Sequence, residues 1–193
     1  MTIITVPHQT LREVAQPITK VDQKLQQFIK ELSQTLQQTK NPSGVGLAAP
    51  QVDKKWRIFA TNLPIEDDAA DEAPLVITLF INPVITAQNR EVTFGPDSEN
   101  PLLEGCLSIP GLYGAVPRFQ EITIEYQSIE NDQLIEKKLL AKDFRARVIQ
   151  HELDHLNGIL FTDYSLEYDL PVYRENEKNN KFTEIDKRIL ESF

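Results

Sequence analysis

The sequence predicts an α+β fold in which antiparallel and mixed β-sheets pack around a central helix. Three patterns carry that reading: a helical apolar period over residues 22–36, an alternating hairpin over 122–140, and a helix directly after it that is apolar on two sides. No regular βαβ alternation accompanies them, so a parallel α/β architecture is not expected.

Leu25, Phe28, Ile29, Leu32 and Leu36 recur at helical spacing, with Asp22 placed as N-cap and Asn41-Pro42-Ser43-Gly44 beyond the end. Trp56, Ile58 and Ala60 then alternate as in a half-buried strand, and Leu75 to Ile81 is a continuous apolar run, as in a strand covered on both faces. Between them, residues 66–72 hold five acids and no apolar anchor, which reads as a solvated loop. Ile122, Ile124 and Tyr126 alternate, Asn131-Asp132 supplies turn residues, and Leu134 to Leu140 returns as the second strand. Asp143 is placed as the cap of the following helix, and Asn157-Gly158 as its end.

At 193 residues the chain is long enough for one domain with a sizeable core, and residues 1–193 read as a single domain. A net charge of -9 argues against a surface that neutralises phosphates, so direct nucleic-acid binding is not expected. No apolar run approaches a membrane span and the first residues lack a basic-then-apolar leader, which gives a cytoplasmic expectation with no membrane partner. The one cysteine, Cys106, is either a buried small hydrophobe or a thiolate with a chemical task.

The chemistry concentrates in His151-Glu152-Leu153-Asp154-His155. Residues four apart stand one turn apart on a helix face, so both imidazoles reach one metal ion while Glu152 reaches a water beside it. Phe144 and Val148 precede the histidines on the same stripe, placing the metal beside an apolar pocket, and Ile149, Leu153 and Leu156 form a second, core-facing stripe. A catalytic site of this type needs a third protein ligand and an open position. Asp163, Glu167 and Glu175 are candidates, as in zinc proteases, and Cys106 is another. The setting Glu104-Gly105-Cys106-Leu107-Ser108 favours the cysteine, since Gly105 admits a close backbone and Glu104 can orient a ligand. In Gly44-Val45-Gly46-Leu47-Ala48-Ala49-Pro50-Gln51, the glycines suit a backbone lying close to another chain, and Gln51 can project an amide into the site; a tight helix-to-strand loop explains the glycines about as well.

Together, these two segments and Gln150-His151-Glu152-Leu153-Asp154-His155 resemble, in order, the three signature motifs of the peptide deformylases. The resemblance spans roughly residues 3 to 164, with Val116-Pro117-Arg118 included, and leaves about 166–193 as a C-terminal extension. It implies a hydrolase that removes the formyl group from the N-terminal methionine of new proteins. It implies Cys106, His151 and His155 as metal ligands, Glu152 as general base and acid, and Gln51 with the Leu107 N–H as oxyanion donors. It further implies that the peptide adds as a strand between Val45-Gly46 and Gly105, with the methionine side chain near Val45, Phe144, Val148 and His151. The implied cofactor is one divalent ion, Fe2+ in the cell, although ligand preference alone admits Zn2+, Ni2+ or Co2+ in purified protein. The implied partners are N-formylmethionyl nascent peptides and, transiently, the ribosome. Residues 164–193 carry five Lys/Arg against seven Asp/Glu, which argues against the basic C-terminal helix that some bacterial members dock with.

Two rivals stand beside this reading. One is a metalloprotease with Glu167 or Glu175 as third ligand; the other is a non-catalytic metal-binding module, against which Glu152 and Gln51 argue because a structural site needs no base.

Overall fold

The structure, a computed structural model, describes residues 1–40, 44–64, 73–97, 99–176, 179 and 181–193. The acidic stretch 66–72 and the Asn41-Pro42-Ser43 segment expected beyond the first helix lie outside the described residues.

Helix α1 (Gln23–Gln38) starts where expected: the Asp22 carboxylate accepts the Leu25 N–H at 2.9 Å, satisfying a donor that the first turn leaves free. The strands follow as β1 (Gly46–Ala48), β2 (Ile58–Leu63), β3 (Val76–Gln88), β4 (Val92–Thr93), β5 (Leu103–Cys106), β6 (Ile109–Ala115), β7 (Arg118–Phe119), β8 (Glu121–Glu130) and β9 (Gln133–Lys142). Helices α2 (Asp143–Leu156) and α3 (Phe161–Glu167) come next, then β10 (Val172–Asn176), β11 (Lys181–Glu184) and a closing 3-10 turn. The α+β expectation holds. The strands form a five-stranded sheet in the order β1-β2-β3-β8-β9 and a four-stranded sheet in the order β11-β10-β6-β5, with β4 and β7 paired separately.

The five-stranded sheet is packed on both faces. Leu25, Phe28, Leu32 and Leu36 of α1 join Ile58, Ala60 and Ile81 on one side; Ala146, Ile149, Leu153 and Leu156 of α2 join Phe59, Phe80, Ile122 and Ile124 on the other. This reverses two expectations. β2 is covered on both faces, because Phe59 packs toward α2 while Ile58 and Ala60 pack toward α1. β3, expected to be doubly covered, is only half-buried over Val76–Leu79 and exposes Val84 beyond Asn82, where its register against β8 shifts. Trp56 stands outside β2, in an isolated parallel bridge with Gln16.

The β8–β9 hairpin is as expected, with Asn131 and Asp132 both at positive φ in the turn that suits strand twist. Asp143 is not a cap. Its φ is +47°, its N–H donates to the Gln120 carbonyl, and its carboxylate accepts from the Gln120 amide, so it turns the chain from β9 into α2. α2 ends as the sequence indicates: the N–H of Ile159 returns to Asp154 and that of Gly158 to His155, with Gly158 at φ +74°. A Cβ on Gly158 would also lie 2.6 Å from the Arg12 carbonyl oxygen. Gly158→Ala should therefore cost about 1–3 kcal/mol through backbone strain and that clash. Urea unfolding checks this; unchanged stability would mean that neither contact matters.

Candidate active site and metal centre

Three chain segments meet at one cleft. β5 supplies Cys106 at its end, where the register with β6 shifts between Gly105 and Cys106 as the chain turns through Leu107 and Ser108. α2 supplies His151, Glu152 and His155, and the turn after β1 supplies Gln51. The ligand atoms of Cys106, His151 and His155 lie within 4.8 Å of one another, the Cys106 Sγ being 3.2 Å from His155 Nε2. Gln51 is held by its own backbone: Oε1 accepts the Ala48 N–H at 2.8 Å, which directs Nε2 toward the Cys106 Sγ at 3.5 Å and the Ser108 Oγ at 3.3 Å.

Behind the ligands, Glu104 is buried and fully engaged. Its Oε2 sits 3.0 Å from His151 Nδ1 and accepts Arg118 Nη2 at 2.9 Å, while Oε1 accepts Arg118 Nε at 3.0 Å and Arg147 Nη1 at 2.8 Å. Arg118 continues to Asp154 Oδ2 at 2.5 Å, and the Tyr164 hydroxyl donates to the same oxygen at 3.1 Å. Burial alone would raise the Glu104 carboxyl; the Arg118 guanidinium and the His151 hydrogen bond outweigh it and hold the group well below the usual carboxylate range. The Glu104 contact through Nδ1 leaves His151 Nε2 as its ligating nitrogen.

The residues fit a divalent transition metal. Burial, with the charges of His151 and Arg118, depresses the His155 imidazole, which favours the neutral form a ligand needs. Burial likewise opposes a charge on His151, but its hydrogen bonds to Cys106 and Glu104 overcome that and raise it, and the same neighbours would attract a metal cation in the proton's stead. A thiolate with two imidazoles suits first-row ions and not calcium or magnesium. At the site itself, the buried Glu152 Oε2 and His155 Nδ1 have no hydrogen-bond partner among the described residues. Burial pushes the Glu152 carboxyl up to about 7. Gly46 makes room for it, since a Cβ there would stand 2.2 Å from Glu152 Oε1.

The rival third ligands are elsewhere. Asp163 pairs with Arg12 at 2.6 Å, Glu175 on β10 lies near Tyr113, and Glu167 lies beside Tyr168 at the end of α3. None joins the ligand group found among the described residues. The cleft has a volume of about 440 Å³, and Val45, Gly46, Gly105, Leu107, Phe144 and Val148 all line it. Among the described residues β1 and β5 are each the outermost strand of their sheet, so each presents an edge at this cleft that no described strand pairs with. The sequence reading gave no role to Arg118, Arg147, Asp154 or Ser108. Arg147 stands four residues before His151 on one helix face, a spacing that offered a signal; the pairing of Arg118 with Glu104 across β5 and β7 offered none.

The family model for polypeptide deformylase matches residues 1–169. The chain belongs to the polypeptide deformylase family. It is 34% identical over 194 residues to the peptide deformylase of Bartonella bacilliformis, covering 97% of this chain and 97% of that one. The crystal structure of the Ehrlichia chaffeensis peptide deformylase superposes with a TM-score of 0.70 at 33% identity, covering 88% of this chain and 89% of the other. A class I type b peptide deformylase from Acinetobacter baumannii, solved with Met-Ala-Ser bound, gives a TM-score of 0.69 at 28% identity over 85% of this chain and 97% of that one. The chain is thus a hydrolase of a metalloenzyme family that removes the N-formyl group from the N-terminal methionine of new proteins. No helix among the described residues is long and apolar enough to cross a membrane.

Glu104→Ala should leave the buried Arg147 charge without a carboxylate, leave Arg118 with Asp154 alone and free His151, costing about 3–5 kcal/mol of stability and about 10–100-fold in metal affinity. Urea unfolding and chelator competition measure the two effects. A stable variant with unaltered metal affinity would remove Glu104 from the support of the site.

Proposed function

We propose that residues 1–193 act as one cytoplasmic catalytic domain in which Cys106, His151 and His155 hold one divalent ion, Fe2+ in the cell. Zn2+, Ni2+ or Co2+ would occupy the same donors in purified protein. The observation that carries this reading is the convergence of those three ligand atoms within 4.8 Å, beside a buried carboxylate, in a cleft bounded by two sheet edges. When bound, the ion would acidify a water and polarise the formyl oxygen.

The chain's own groups supply the remaining chemistry. Glu152 takes the proton of the attacking water and delivers it to the departing amine nitrogen, and a carboxyl raised to about 7 by burial is suited to both acts. The carbon–nitrogen bond of the formamide breaks, leaving formate and a free N-terminus. Gln51 Nε2 and the Leu107 N–H donate to the oxygen that gains charge, and the Ala48 contact keeps the Gln51 amide from turning away.

The peptide lies as an added strand, pairing with Val45 and Gly46 of one sheet and Gly105 of the other. Its methionine side chain enters between Phe144 and Val148, where a long flexible apolar group packs well. The relative from Acinetobacter baumannii with Met-Ala-Ser bound supports a tripeptide of this kind as ligand. Contact with the ribosome is transient, and the acidic balance of residues 164–193 argues against anchoring through them.

The test is formate release from formyl-Met-Ala-Ser, beside acetyl-Met-Ala-Ser and the unblocked peptide. The formyl substrate alone should be processed. Glu152→Gln should keep its metal and lose about 100-fold or more in kcat, whereas Cys106→Ala should lose metal and activity together. A metal-replete Cys106→Ala protein, or near-normal turnover by Glu152→Gln, would overturn the assignment of that residue. Cleavage of internal bonds without formate release would overturn the reaction itself.

A further inference from the structure

Strands β10 and β11 lie beyond the stretch matched by the family model, yet they continue the sheet that ends at the cleft. β10 pairs with β6, Tyr173 lying opposite Tyr113, and β11 pairs with β10, Phe182 lying opposite Glu175. Successive residues of β5 point to opposite faces. Glu104 reaches Arg147 and His151 on α2, so Gly105 faces away from α2. There the Tyr113 ring covers it: a Cβ on Gly105 would stand 2.6 Å from Tyr113 Cε1.

Tyr113 lines the cleft, and its ring meets Phe182 edge-on with centroids 5.2 Å apart at 78°. Through Phe182 the C-terminal hairpin braces the ring on the side away from α2. Phe182 is itself 46% exposed, which leaves aromatic area for a ligand to cover.

We propose that Tyr113 and Phe182 form a shelf that selects a large apolar or aromatic side chain at the second residue of the formylated peptide. The inference rests on the strand-addition reading above. In that reading the methionine side chain points toward α2, and side chains alternate along an added strand, so the second points to the Gly105 face. A phenylalanine there covers Tyr113 and extends toward Phe182, whereas an alanine reaches neither ring.

The experiment compares kcat/KM for formate release from formyl-Met-Ala-Ser, formyl-Met-Phe-Ser and formyl-Met-Ala-Phe by the metal-loaded enzyme, Phe182→Ala and Phe182→Tyr. The enzyme should prefer phenylalanine over alanine at the second residue by about five- to tenfold, mostly in KM. Phe182→Ala should reduce that ratio to about twofold or less, and Phe182→Tyr should retain it. Melting temperatures of the variants confirm that each is folded. Equal rates on the first two peptides, or a preference that survives Phe182→Ala, overturns the shelf. A preference that appears only at the third residue overturns the alternation, and with it the strand-addition reading. No formate from any of the three peptides would overturn the assigned function instead.

Discussion

The structure depends on one buried carboxylate. Glu104 is 8% exposed and meets two guanidiniums and an imidazole, tying β5 to β7 and to α2 through charge-assisted bonds. Each partner alone would be an expensive buried charge, and they are tolerable because they occur together. Cys106 lies two residues from Glu104 on the same strand, and His151 stands four residues after Arg147 on the same helix, so the contacts that neutralise the interior also set the spacing of the candidate ligands. Arg147 goes on to the carbonyls of Val116 and Thr93, which carries the tie into β4 and the turn between β6 and β7.

Around that tie the molecule is built from two sheets whose outermost strands both stop at one cleft. An unpaired sheet edge usually invites unwanted association, and proteins cover or interrupt it. Here the edges of β1 and β5 are short and recessed beside α2, so they offer backbone groups to an extended chain within the cleft. The glycines follow from the crowding. Gly46 leaves room for the Glu152 carboxylate, and Gly105 leaves room for a tyrosine ring. A side chain at either place would displace a neighbour needed for the arrangement.

Much of this was legible in the sequence where chemistry and periodicity agree. The spacing of His151 and His155 placed both on one helix face with Glu152 beside them, and the same helix carried Phe144 and Val148 toward the cleft. Asp22 and Gly158 marked helix ends through backbone requirements that few residues meet. The misreadings arose where tertiary packing decides. β2 is covered twice because two helices remote in sequence lie on its faces, while β3 outruns its cover. Asp143 looked like a cap, but its neighbour Gln120 claims both its carboxylate and its N–H. The Arg118 partnership was hidden because it joins strands whose pairing no local pattern states. The hairpin after residue 169 was hidden because it is stabilised by pairing with β6 and by Phe182 on Tyr113.

The β8–β9 hairpin passes into α2 without an intervening loop. Its register runs from Glu130 opposite Gln133 at the turn to Glu121 opposite Lys142 at the far end, so its contacts close short loops and need no help from distant parts of the chain. Such pairings form on a microsecond scale, far ahead of those linking remote segments. Once zipped, the hairpin presents Ile122, Ile124 and Ala141 as an apolar bed on which α2, next in the chain, can settle. The helix bearing both histidines therefore has a local folding template. Cys106 and Gln51 must be brought to it by longer-range closure, which costs more chain entropy than the hairpin's own zipping.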